Sequence, residues 1–202
     1  MSYKFSSIVL ASASPRRREI LTQIGVQFTV QEHSVDEVLL ADESPETYVQ
    51  RLALEKALSV QAMHAEKSVP ILGSDTIVVC AGQILGKPAD KEDGLRMLTL
   101  LSGKQHQVFS AVAVCFEDQQ QTVLVRSDVT FKELSEQEIE RYWLSEEPLG
   151  KAGAYAIQGL GGMFVTALSG SYSGVVGLPA YETSQLLAAF GVSTGLSKES
   201  AQ

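Results

Sequence analysis

Apolar positions along this chain fall into short runs separated by amphipathic stretches. Ser7-Ile8-Val9-Leu10 predicts a short buried strand. The small residues Ala11 to Ser14 predict a turn, and Arg17 to Ile24 a helix. Ser14 is placed to cap that helix through its hydroxyl, Pro15 suits its first position, and Gly25 suits its C′ position. Val26 to Glu32 predicts a second strand with Phe28 and Val30 on one face. Ser44-Pro45 repeats the cap-plus-proline start. Behind it Tyr48, Val49, Leu52, Ala53, Ala57 and Val60 recur at three- and four-residue steps, the mark of a helix with one buried face. Pro70 to Cys80 is apolar on both sides of Gly73-Ser74-Asp75-Thr76, the pattern of a strand buried on both faces. Ala81-Gly82 predicts a tight turn that pairs Gln83 to Leu85 back as a hairpin.

Asp90 predicts the cap of a helix running to Leu101, with Leu95, Leu98 and Leu101 as its stripe and Ser102-Gly103 as its end. Gln107 to Phe116 and Thr122 to Lys132 predict a long hairpin closed around Asp118-Gln119-Gln120. Its second arm alternates Val123, Val125, Val129 and Phe131 with Thr122, Arg126, Asp128 and Lys132. Ser135-Glu136-Gln137-Glu138 is a capping box, opening a helix that carries Ile139, Tyr142 and Trp143. Gly150 to Gly162 is glycine-rich and holds Lys151, Tyr155 and Gln158. Met163 to Leu168 and Ser173 to Leu178 predict short strands. Pro179 opens a last helix ending near Phe190-Gly191, and residues 194 to 202 predict a frayed polar tail. Strands alternating with helices predict an α/β protein with a mixed, strongly curved sheet.

Composition narrows the function. The net charge of −8 argues against a polyanion binder and predicts no nucleic-acid partner. Against that acidic background Arg16-Arg17-Arg18 stand out. Arginines at a helix N-terminus oppose the macrodipole, and an anion held between them and the free amides would reverse that cost. Two readings are open for the stretch: a phosphate cradle, or a capped surface helix with solvated arginines. The two cysteines, Cys80 and Cys115, lie in apolar runs without metal-ligand spacing, as in a reduced cytoplasmic protein. Met1 to Phe5 shows no long apolar stretch of a signal peptide, and no apolar run approaches the ~18 residues of a membrane span.

Asp75 is the second chemical feature. A carboxylate inside a strand buried on both faces needs a partner or a task. The three histidines, His33, His64 and His106, are scattered and read as surface or internally satisfied groups. There is no GxxxxGK[ST] loop and no GxSxG elbow. Gly159-Leu160-Gly161-Gly162 opens no helix, so it is not a dinucleotide fingerprint. What remains is an arginine cradle, one buried aspartate, and lysines at 56, 87 and 151. Phosphate chemistry uses such a set, cations holding oxygens while a carboxylate holds a metal or activates water.

At this point a resemblance is carried by Ala11-Ser12-Ala13-Ser14-Pro15-Arg16-Arg17, Glu55-Lys56-Ala57, Gly73-Ser74-Asp75-Thr76, Gly86-Lys87-Pro88, Ser102-Gly103, Asp128-Val129-Thr130-Phe131, Lys151 to Gly159 and Val176-Gly177-Leu178-Pro179. In this order, over nearly the whole chain, they are similar to the Maf family of nucleoside triphosphate pyrophosphatases, in the branch acting on dTTP and UTP. The resemblance implies a two-lobed Maf/ITPase-like domain over residues 1–193, with an elongated sheet and a central cleft, commonly a homodimer. It implies hydrolysis of a nucleoside triphosphate to the monophosphate and pyrophosphate with a divalent metal cation, Mg2+ or Mn2+. Asp75 matches the proton acceptor. Ser12, Arg16, Arg17, Lys56, Thr76, Lys87 and Gln158 match substrate-binding positions, with Arg16, Thr76 and Gln158 setting substrate choice. Asp75 and Glu37 are the carboxylates assigned to the metal. Position 86, often acidic in this branch, is glycine here, as in the 7-methyl-GTP branch. The rival function is a nucleotide-binding regulator of septum formation, which needs the cradle but not the buried carboxylate. For the base, a glutamine amide offers one acceptor and two donors and can meet the acceptor-donor-acceptor edge of uracil or thymine.

Overall fold

The computed structural model describes residues 4–63 and 69–197. The readings at Met1 to Tyr3, at His64 and at the last five residues of the tail lie outside the described residues. The elements are β1 (Ser7–Leu10), α1 (Pro15–Gln23), β2 (Gln27–Val30), α2 (Pro45–Gln61), β3 (Ile71–Cys80), β4 (Gln83–Leu85), α3 (Lys91–Leu101), β5 (Gln105–Phe116), β6 (Gln119–Phe131), α4 (Glu136–Leu144), β7 (Val165–Ser169), α5 (Tyr172–Val176) and α6 (Ala180–Ala189). Among the described residues the strands form one seven-stranded sheet in the order β2-β1-β3-β5-β6-β7, with β4 paired to β3. It is mixed, as the sequence predicts: β1 runs parallel to β2 and β3, while β4 and β7 run antiparallel to their partners.

The chain divides into two compact units, one formed by residues 1–75, 110–125 and 177–202, the other by 76–109 and 126–176. In the first unit β1 lies between β2 and the start of β3, pairing Ile8 with Phe28 and Leu10 with both Val30 and Leu72. Val9, Ala11, Ala57, Val60, Ile71 and Cys115 close one part of its core. The predicted face of α2 is the buried one, from Tyr48 to Val60. The second strand is shorter than expected, with Phe28 half-buried and Val30 exposed. Ser14 does not cap α1 through its side chain, which makes no capping bond. Its amide instead donates to Ser12 Oγ at 3.3 Å, so the hydroxyl that serves this turn is Ser12's. Pro15 and Gly25 stand where expected, Gly25 at φ +71°. Thr194 to Ser197 form a turn against the end of α1, Gly195 N donating to Ile24 O at 2.8 Å.

The second unit is organised around Leu98, Leu101, Val129, Phe131, Ile139, Tyr142, Tyr155 and Phe164. Asp90 caps α3, accepting from Asp93 N, and Ser135 and Glu138 form the predicted box at the start of α4. A Cβ on Gly94 would stand 2.1 Å from the Trp143 ring, so α3 meets α4 through a glycine and an indole. The turn between β5 and β6 is only Glu117-Asp118, with Glu117 at φ +52°. The glutamines expected in that loop are part of β6. Ser173 to Leu178 is not a strand. Tyr172 to Val176 is one and a half turns of helix, started by Gly174 N donating to Ser171 Oγ at 3.0 Å. Periodicity cannot separate so short an apolar run from a strand. Among the described residues no helix is long and apolar enough to cross a membrane.

Candidate active site

Strand β3 places Asp75 and helix α2 places the group that answers it. Gly73 lets the two backbones touch: a Cβ there would lie 2.2 Å from Ala53 O and 2.7 Å from Ala57 N. A glycine inside a strand marks such an approach. Lys56, next to Ala57 on the helix, therefore reaches β3. Its Nζ donates to Asp75 Oδ1 at 2.6 Å and to Glu37 Oε1 at 2.7 Å. The buried aspartate thus has its partner, and the lysine is no solvated surface charge.

Glu37 comes from the loop before α2, and α2 itself holds that loop. Tyr48 Oη donates to the Glu37 carbonyl at 2.7 Å. Arg51 reaches the Val38 carbonyl at 3.0 Å and grips Glu43 through Nε and Nη2 at 2.7 and 2.8 Å. Glu43 in turn accepts from Leu40 N at 3.1 Å. These paired bonds to Glu43 raise the Arg51 guanidinium above its ordinary range and hold the Glu43 carboxyl below its own.

The two arginines at the start of α1 divide their tasks. Arg17 donates from Nε to the Gly177 carbonyl at 3.0 Å and from Nη1 to Ser12 Oγ at 3.0 Å. Gly177 O also accepts from Ser74 Oγ at 3.2 Å, beside Asp75 in sequence. Two of the edges of the Arg17 fork are thus committed to the protein. Burial lowers its guanidinium from the usual value, opposed by Asp75, reinforced by Arg16 and opposed again by Glu37. The field of the aspartate is felt at the arginine. Burial also lowers Arg16, with Glu19 opposing. Arg18 is exposed.

Ser12, Arg17, Glu37, Lys56 and Asp75 thus form one connected set in the first unit, with Arg16 beside them. Thr76, Lys87 and Gln158 belong to the second unit. Thr76 is the next residue of β3 after Asp75 and is partly buried; Lys87 and Gln158 are exposed in loops. Gln158 sits in a turn closed by Gly159 N donating to Ala156 O at 3.3 Å. Sequence reasoning did not find Ser74, the Gly177 carbonyl or the Tyr48–Arg51–Glu43 hold on the Glu37 loop. The one signal available was Gly73.

For a metal, the donor set is two carboxylates, Asp75 and Glu37, meeting on one ammonium. Among the described residues no group of three His, Cys, Asp or Glu surrounds a common point. Two hard oxygen donors fit Mg2+ or Mn2+ of the kind that takes one or two protein carboxylates and completes its shell with substrate phosphate and water.

A family model described as "Maf-like protein" matches residues 7–190. The dTTP/UTP pyrophosphatase of Vibrio cholerae serotype O1 is 56% identical over 185 residues, covering 92% of this chain and 98% of that protein. Its counterpart from Vibrio parahaemolyticus serotype O3:K6 is 53% identical over 187 residues, 93% of this chain and 98% of that protein. A third, from Pseudoalteromonas atlantica, is 53% identical over 182 residues, 89% of this chain and 95% of that protein.

Proposed function

The chain belongs to the Maf family, and from that premise we propose that it is a nucleoside triphosphate pyrophosphatase that hydrolyses dTTP and UTP to the monophosphate and pyrophosphate. The observation that carries the substrate is the 56% identity, nearly end to end, with a relative of that name. The chemistry is supported by a buried aspartate tied to a lysine within the field of an arginine.

The water oxygen bonds to the α-phosphorus, the bridging bond to the β-phosphate breaks, and pyrophosphate leaves with its electron pair. Asp75 takes the proton from the attacking water. Lys56 holds the Asp75 carboxylate in place and, with Arg16, meets phosphate oxygens as charge accumulates. Arg17 acts from the side: bound to Ser12 and to the Gly177 carbonyl, it fixes the turn and offers its remaining edge to the anion. Asp75 and Glu37 would hold a divalent cation, which when bound neutralises triphosphate oxygens and polarises phosphorus. Thr76, Lys87 and Gln158, in the second unit, are assigned to substrate on the family resemblance alone. Gln158 meets the imide edge of uracil or thymine, where cytosine would leave the amide partly unpaired. A Cβ on Gly86 would meet open space, so packing neither requires the glycine nor decides between the two branches. We further propose that the enzyme works in the cytoplasm as a homodimer.

Pyrophosphate release from a panel of nucleotides, with and without Mg2+ or Mn2+, tests this reading. UTP and dTTP should be cleaved well above CTP and 7-methyl-GTP, and chelation should abolish turnover. A panel led by 7-methyl-GTP, or full turnover under chelation, would overturn the substrate or the metal respectively.

A further inference from the structure

The glycine-rich stretch that presents Gln158 is held from behind by two side chains of the α4 region. Tyr142, buried in α4, donates its hydroxyl to Glu147 Oε1 at 2.7 Å and accepts from Ala156 N at 3.0 Å. Glu147 accepts from Gly161 N at Oε1 and from Leu160 N at Oε2, both at 2.9 Å. One phenol and one carboxylate therefore satisfy backbone amides on both flanks of Gln158. The glycines follow from this clamp. A Cβ on Gly159 would stand 2.0 Å from Glu147 Oε2, and one on Gly161 would stand 2.6 Å from Tyr142 Oη. Gly159 and Gly161 are thus glycines because the clamp fills the space that side chains would take, while a Cβ on Gly162 would meet the Ile157 carbonyl at 2.6 Å.

The charges agree with the geometry. Burial and the neighbouring carboxylate keep the Tyr142 phenol protonated, hence a donor. Burial opposes the charge on Glu147, but the Gly161 amide, the Tyr142 hydroxyl and the Leu160 amide outweigh it and hold the carboxyl below its ordinary value. The Tyr142 ring is itself fixed, edge-on to Phe164 with centroids 4.9 Å apart.

We infer that Tyr142 and Glu147 are positioning residues that hold the 156–161 turn in one shape and so set how strictly Gln158 discriminates between bases. The inference rests on the reading of Gln158 as the residue that meets the base. Neither side chain touches the reacting atoms, so their loss should act on base selection rather than on the chemical step. If the loosened turn holds its shape about a tenth of the time, apparent affinity falls about tenfold.

The test compares wild type with Tyr142→Phe, Glu147→Gln and Gly159→Ala. The first keeps the ring and loses both hydroxyl bonds. The second sets an amide nitrogen against backbone donors whichever way it turns. The third leaves both side chains and displaces the carboxylate. KM and kcat are measured for UTP, dTTP and CTP, together with hydrogen exchange at Ala156, Leu160 and Gly161. Expected are faster exchange at these amides, about a tenfold higher KM for UTP and dTTP with kcat nearly kept, and a UTP-over-CTP preference reduced by a similar factor. Faster exchange with unchanged preference, or a fall in kcat equal on all three nucleotides, would overturn the inference while leaving the proposed activity standing. So would exchange that stays slow in all three variants. A wild-type enzyme that shows no preference for UTP and dTTP would overturn both.

Discussion

Replacing Lys56 with methionine keeps a long, unbranched, apolar stem but removes the ammonium between Glu37 and Asp75. The two bonds it breaks have similar lengths, 2.7 and 2.6 Å, but different settings. The Glu37 side chain keeps 40% of its exposure, while those of Asp75 and Lys56 keep 11% and 14%. The Glu37 pair, screened by water, is worth about 0–1 kcal/mol. Removing one partner of a fully buried pair costs about 3–5 kcal/mol, and the residual exposure here brings the Asp75 pair to ~2–3 kcal/mol. Lys56→Met should therefore cost about 2–4 kcal/mol, a fall in Tm of roughly 5–15 °C for a chain of this size. Asp75→Asn removes the charge that the methionine strands. In that background Lys56→Met should cost less, the difference being about 1–3 kcal/mol of coupling. In the wild-type background kcat/KM for UTP should fall about 10²-fold or more, because the carboxylate loses both its anchor and the adjacent cation. Thermal unfolding of the four proteins of the cycle, with pyrophosphate release from UTP, measures all of this. Additive effects on Tm and an unchanged kcat/KM in Lys56→Met would refute the reasoning.

Gly73→Ala should cost about 1–3 kcal/mol, since its methyl meets backbone of α2 rather than a side chain that can swing away. Lys56 is lifted with the helix, so kcat/KM for UTP should fall with Tm; wild-type activity in this variant would show that the close approach does not set the Lys56–Asp75 geometry. His106 is buried against Tyr155, its Nε2 2.9 Å from the phenol, and burial lowers it from 6.5 to about 4. The folded protein then refuses a proton that the unfolded chain accepts. The stabilisation is whole above about pH 6.5 and is lost as pH falls toward 4, by roughly 3 kcal/mol. His106→Gln should lack this loss, gaining on wild type by about that amount between pH 7 and 4 in denaturant titrations; parallel curves would refute it.

How much of this was legible in the sequence depends on the range of the contacts involved. The helix starts at Pro45 and Glu136, the buried face of α2 and the doubly buried run of β3 are local patterns, and each appears where its spacing puts it. The failures are local too, but underdetermined. Ser12 and Ser14 are both hydroxyls before a proline, and only the folded turn selects Ser12 to serve it. Val175-Val176 favours a strand until Ser171 starts a helical turn ahead of it. At the candidate site, the resemblance supplied the residues and the roles it implies, but not which of them touch. Nothing local separates Lys56 from Lys87 or Lys151 as the cation that reaches Asp75; the strand glycine that brings the helix close decides it.

The same logic separates the arginines. Adjacent in sequence, Arg16 and Arg17 look equivalent as phosphate ligands, and helix geometry turns them about 100° apart. Arg17 is turned inward, where Gly177 O and Ser12 Oγ occupy two edges of its fork. The Gly177 carbonyl also accepts from the Ser74 hydroxyl, so through that carbonyl the start of α1 is linked to the side chain just before Asp75. A lysine at position 17 would keep the charge but could not hold both acceptors in one plane. The geometry that commits two edges of Arg17 to the protein thus makes it the residue that fixes where the start of α1 stands relative to Gly177 and Ser74.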